Sequence, residues 1–164
     1  MGNVFSDATE SLYLSNGGTA VFVNVLMLAV SDLVDDEWDY RFASLLSLQD
    51  QNMMGRGAVG FDLRDIAWGT TDSERVRSKE FVLRATALAL SGHRWSELDY
   101  EPPFARDYLR QFQAMVESFE PTGEVRRAGD FPGADERAVA SCALHRILSA
   151  LPYWEGCFLC TEPP

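Results

Sequence analysis

Three cysteines and one of the two histidines fall within nineteen residues, at Cys142, His145, Cys157 and Cys160. As a pattern they read C-x2-H-x11-C-x2-C. A structural zinc site takes four nitrogen or sulfur ligands, and a C-x2-C knuckle supplies two of them from one turn. Gly156, just before Cys157, suits such a turn. Residues three apart on a helix share a face, so a helix over about Ala134–Ala150 would present Cys142 and His145 together. On that helix, at roughly 100° per residue, Ala140, Ala143, Ile147, Ala150 and Leu151 form the apolar side. Cys142 and His145 then lie opposite it, among Ala138, Ser141 and Ser149. Zinc is therefore the candidate cofactor. Other readings stay open: buried cysteines acting as small hydrophobes, a small-residue face for close helix approach, or a Cys157–Cys160 redox pair without a thioredoxin context. A Cys142–His145 nucleophile would also need a base and a third group placed by the fold.

Two further groups of side chains carry charge in a pattern. Asp35, Asp36, Glu37 and Asp39 follow Asp32 closely. They lack the alternating ligands and glycine bend of a calcium loop. They suit the start of a helix, where the dipole favours negative charge, or a docking patch for a basic partner. Asp62, Arg64, Asp65 and Trp68 combine acid, arginine and tryptophan as interface hot spots do. A carboxylate pair for acid–base chemistry would need a neighbouring cleft. Gly55-Arg56-Gly57-Ala58-Val59-Gly60 matches G-x-G-x-x-G, but the dinucleotide fingerprint needs a strand before it and a helix after it. A glycine loop with positive φ is the plainer expectation. His93 follows Gly92 and reads as a helix-end cation. The chain contains no G-x-S-x-G, P-loop or H-E-x-x-H, so no catalytic residue is assigned.

Composition narrows the partners. Asp plus Glu number 25 against 14 Lys plus Arg, a net charge of −11. Such a field repels nucleic acid and anionic membranes and speeds encounter with cationic partners. It also serves solubility. The apolar run Ala20–Val30 contains Asn24 and falls short of a bilayer span, so no membrane association is expected. The N-terminus has no basic stretch of a secretory leader. An odd number of cysteines argues against a disulfide framework, and a reducing cytoplasm is the expected compartment.

The elements that must position these residues read as mostly α. The expectation is a single helical domain over 1–164, with about five helices and irregular tails at 1–15 and 155–164. The helices are expected at about Thr19–Val34, Asp36–Asn52, from the capping box at Thr71–Glu74 to a stop at Gly92, from Pro102-Pro103 to Pro121, and Ala134–Ala150. A short strand or hairpin is expected within 54–69, at Ala58–Leu63. The functional expectation is a small acidic binding protein, an inhibitor or immunity-type protein that neutralises a basic toxin or nuclease domain. The alternatives are a zinc-stabilised helical regulatory domain and an enzyme using the Cys–His or Asp pair.

Overall fold

The computed structural model describes residues 3–49, 60–126, 129, 131–151 and 156–160. Residues 3–14, within the stretch expected as an irregular tail, instead form an antiparallel hairpin. Strand β1 (Asn3–Ser6) pairs with β2 (Ser11–Leu14), with Asn3 opposite Leu14 and Ser6 opposite Ser11. Asp7 makes the turn by accepting the N–H groups of Thr9 and Glu10, each at 2.7 Å. Alternation then points Phe5, Leu12 and Leu14 into the core.

Helix α1 (Asn16–Leu33) starts a turn earlier than expected. Ser15 caps it, accepting from Gly18 N at 3.0 Å. Thr19 instead donates its hydroxyl to Ser15 O and accepts from Asn3 Nδ2. With the added turn α1 reaches 18 residues at mean hydropathy 1.3, long and apolar enough to cross a membrane by length and composition; 61% of it is buried inside the protein. Helix α2 (Glu37–Ser47) begins at the acidic cluster. Its expected extension to Asn52 ends at Ser47, and residues 50–59 lie outside the described ones.

Helix α3 (Asp72–Leu90) opens with the capping box that Thr71 and Glu74 encode, Glu74 N donating to Thr71 Oγ1 at 3.1 Å. Gly92, with φ 83°, follows its end. Helix α4 (Ala105–Ser118) leaves Pro102 and Pro103 outside, and Phe104 caps it in the left-handed region.

The fifth expected helix does not form, so the described residues hold four α-helices and two small sheets. Residues 134–150 fold as a 3-10 turn (Ala134–Glu136) and a short hairpin of β3 (Val139–Ala140) with β4 (Leu148–Ser149). Ser141 donates both its N–H and its hydroxyl to Ile147 O at 2.7 Å, closing the chain across six residues. Ala138 N bonds Tyr40 O, Leu148 N bonds Ser31 Oγ and Ala150 N bonds Ser47 Oγ. Backbone groups that a helix would have spent on itself are spent on α1 and α2 instead. Tertiary partners thus override the helix preference of an Ala- and Leu-rich stretch.

The strand expected at Ala58–Leu63 is reduced, within the described residues, to one parallel bridge between Ser6 and Asp62, followed by a 3-10 turn at Leu63–Asp65. Gly60 is required there. Its φ is 101°, and a Cβ would stand 1.9 Å from Val4 O.

One core joins these elements. Phe5, Phe22, Phe42, Phe81 and Phe112 are fully buried. Trp38 stacks with Phe42, Trp68 and Phe131 at centroid distances of 5.5 to 5.6 Å, and its indole N–H is satisfied by Ala67 O. Beside the stack lies the fully buried carboxylate of Asp39. Arg77 of α3 grips it with two bonds of 2.7 and 2.8 Å, and the N–H groups of Asp35 and Asp36 donate to it at 3.0 Å. Removing the carboxylate leaves the Asp35 and Asp36 N–H groups and the half-buried Arg77 without their acceptor. Asp39→Ala is therefore expected to cost about 3 kcal/mol, read as a lowered urea midpoint; a loss under about 1 kcal/mol would contradict this account.

Candidate metal centre

The hairpin turn between β3 and β4 is a knuckle. His145 N donates to Cys142 Sγ at 3.1 Å, and Arg146 N donates to Cys142 O at 3.2 Å. Arg146 then turns the chain with φ 58°. A second knuckle follows, where Gly156 has φ 65° and Cys160 N donates to Cys157 O at 3.1 Å. The tail expected to be irregular thus carries a defined turn at 156–160.

The two knuckles face each other. Nδ1 of His145 lies 3.5 Å from Cys142 Sγ, 3.5 Å from Cys157 Sγ and 3.6 Å from Cys160 Sγ. All four candidate ligand atoms lie within 4.8 Å of one another. Tetrahedral zinc, with Zn–S near 2.3 Å and Zn–N near 2.0–2.1 Å, requires a sulfur–nitrogen edge of roughly 3.6 Å. The three sulfur–nitrogen edges match that value, and the four residues could hold a metal ion. The expected ligand set is brought together, but from two turns and not from a helix face.

Thiol ionisation in the cluster is uneven. Local desolvation opposes the Cys142 thiolate, but the N–H groups of His145 and Arg146, with Cys157 and His145, outweigh it and hold its pKa at about 6. Cys160 is pushed up to about 11 by local desolvation, by bonding to Cys142 and Cys157 and by their negative charge. A divalent cation among the sulfurs would relieve that repulsion and favour thiolates throughout.

Arg94 ties the first knuckle to the helical core. Its Nη2 donates to His145 O at 3.0 Å, while its other nitrogens reach Glu97 and, on α1, Asp32. His93 Nε2 also meets Asp32, at 2.7 Å. His93 is thus a partner of the end of α1. No sequence pattern pointed to Arg94, because its partner is a backbone oxygen 51 residues away. Its left-handed backbone, φ 63°, is invisible in composition as well.

The acidic groups expected to face a partner are largely consumed within the fold. Asp39 is fully buried and Trp68 is 2% exposed, donating its indole N–H to Leu63 O. The expectation of a docking surface is corrected for these two, which are core residues because α3 and the aromatic stack cover them. Asp36 pairs with Arg77 and Glu37 with Arg137; Asp35 is exposed. Asp62 and Asp65 are buried and held by Arg64 and Arg126, with Arg126 meeting Asp65 at 2.8 and 2.9 Å. Gly55 and Gly57 of the glycine-rich motif lie outside the described residues. A groove of about 520 Å³, lined by Trp38, Arg41, Trp68, Arg77 and Ser78, runs between the starts of α2 and α3.

No family model matches the chain, and neither a curated protein nor a solved structure is significantly similar to it.

The Asp62 carboxyl sits below its ordinary range. Burial works against the ion, but the Arg64 side chain and N–H, the Ser6 hydroxyl and Arg126 more than compensate. A depressed carboxyl adds stability that is fully present above the unfolded value of about 4 and is lost as pH falls through the folded value. Asp62→Asn should therefore flatten the acid limb of urea midpoints recorded from pH 6 down to pH 3. An unchanged limb would show that Asp62 contributes nothing to acid sensitivity.

Proposed function

We propose that this protein is an acidic protein-binding module whose C-terminal lobe is held by a structural zinc ion. Cys142, His145, Cys157 and Cys160 are its ligands. The observation that carries the metal assignment is the set of three Sγ···Nδ1 distances of 3.5 to 3.6 Å, each matching the edge of a zinc tetrahedron. Four protein ligands leave no open position for water or substrate, which favours a structural over a catalytic role. When bound, zinc supplies a crosslink between the β3–β4 turn and residues 157–160. The chain's own contribution is to hold the sulfurs with backbone N–H groups and to orient His145 through its carbonyl.

The binding role rests on charge. At −11 the chain suits a cationic partner, and an inhibitor or immunity-type protein acting in the cytoplasm on a basic toxin or nuclease domain is the form this reading takes. A second reading, a Cys142 nucleophile, draws on its lowered pKa of about 6. The two separate by thiol labelling: in zinc-loaded protein, Cys142 should be protected from iodoacetamide, whereas a nucleophile would react fast.

Metal analysis of protein purified without chelator should find about one zinc per chain, mostly lost in Cys157→Ser. Stable, metal-free protein that takes up no added zinc would end the assignment. Chelation should lower amide protection at 139–149 more than in the helices, because strands of two residues have few backbone bonds of their own.

Arg94 gives a sharper prediction. Groups that orient a ligand typically contribute about 10–100-fold in metal affinity. Arg94→Gly should weaken zinc binding by at least about tenfold in competition with a chromogenic chelator. Glycine suits φ 63°, so the variant's backbone is unstrained and any loss reports the missing Asp32, Glu97 and His145 bonds. Unchanged affinity would remove Arg94 from the metal assembly.

A further inference from the structure

Exposed aromatic side chains lie on the segment that crosses the middle of α1 and leads into α4, and on the neighbouring β2. Tyr100 and Phe104 are exposed there, and Tyr13 projects from β2, which packs on α4. The joint is closely fitted beneath them. Asn24 of α1 donates to the Tyr100 hydroxyl at 3.1 Å. The Tyr108 hydroxyl approaches Gly18 so closely that a Cβ there would be 3.1 Å from it. The Phe104 ring, by contrast, is 70% exposed, with Tyr108 its aromatic neighbour at 6.4 Å. Its backbone is left-handed, φ 59°, a conformation that costs a bulky residue roughly 1–3 kcal/mol. The fold gains little burial from this ring in return. Asp99 and Glu101 stand exposed beside it with no cationic partner among the described residues, and Asp107 shares only Arg110 at 3.5 Å.

We propose that the face formed by Tyr100, Phe104 and Tyr108, with Asp99, Glu101 and Asp107 at its rim, docks a basic protein segment that presents arginine or lysine. Aromatic faces attract such cations, and the rim carboxylates pair with them. A second copy is disfavoured, because a symmetric contact would set two acidic rims together on chains of −11 each. Anionic lipid is repelled for the same reason. The proposal rests on the acidic-binder reading, whose docking surface it moves away from Asp35–Asp39 and Asp62–Trp68. It is independent of zinc.

The test titrates the full-length, isotope-labelled protein with a synthetic peptide of alternating arginine and glycine, followed by amide chemical shifts at low and physiological salt. The largest shifts are expected at Tyr100, Glu101, Phe104 and Tyr108. Phe104→Gly, which relieves the left-handed strain and so preserves the melting temperature, should weaken binding about tenfold at physiological salt. Shifts centred on Asp35–Glu37, or unchanged affinity in Phe104→Gly, would overturn the surface while leaving the acidic-binder reading standing. No binding even at low salt would overturn both. Dimerisation in sedimentation that depends on Phe104 would assign the face to a second copy and overturn the proposal.

Discussion

The buried carboxylate of Asp39 is the constraint on which the arrangement hangs. An acid with no exposure must be fully satisfied, and the two N–H groups before α2 and the forked guanidinium of Arg77 do this. One group thereby fixes the start of α2, the turn leading into it from α1, and the docking of α2 on α3. Trp38, next in the chain, is set into the stack with Trp68, Phe42 and Phe131. The neighbouring Arg77–Asp36 and Arg137–Glu37 pairs are more exposed and worth less.

Helix α2 in turn carries the C-terminal lobe. Arg41 Nε bonds Pro132 O at 2.6 Å and its guanidinium lies over Phe131. Arg137 lies over Tyr40 at 4.0 Å, Tyr40 O takes Ala138 N, and Ser47 takes Ala150 N. These contacts bring the β3–β4 hairpin to a set position. Strands of two residues have little stability of their own. Polar groups help close the lobe: the Ser141–Ile147 bonds, the Arg94 link to His145 O, and the four clustered Cys and His side chains. Ala138, Ile147 and Leu148 join the buried core shared with the helices, and a metal ion held by the two turns would add cohesion to that packing.

Charge is distributed unevenly between inward and outward work. Many carboxylates are spent on arginines or on backbone N–H groups, as at Asp39, Asp62, Asp65 and Glu74. The sequence cluster at 35–39 looks like a patch, yet it is largely a helix start and an ion-pair site. Exposed Asp99 and Glu101, with no cationic partner among the described residues, stand instead some sixty residues further on. Density of charge along the chain is a poor guide to density of charge in space.

What the amino-acid order determined alone is what local chemistry can settle. The Thr71–Glu74 box needs only a hydroxyl and a carboxylate three residues apart, and α3 begins there. The apolar periodicity of α4 is likewise local, as is the C-x2-H and C-x2-C spacing that marked four residues as a candidate ligand set. Tertiary structure decided what depends on distant partners. Ala134–Ala150 has helical preference, but bonds to Tyr40, Ser31 and Ser47 draw it into a hairpin. Asp39 and Trp68 look like surface residues until Arg77 and the aromatic stack cover them. Arg94 joins the candidate metal centre through a backbone oxygen, which no residue type announces. The four candidate ligands were nameable from spacing because a knuckle is a local turn; that the two knuckles meet is a matter of tertiary structure.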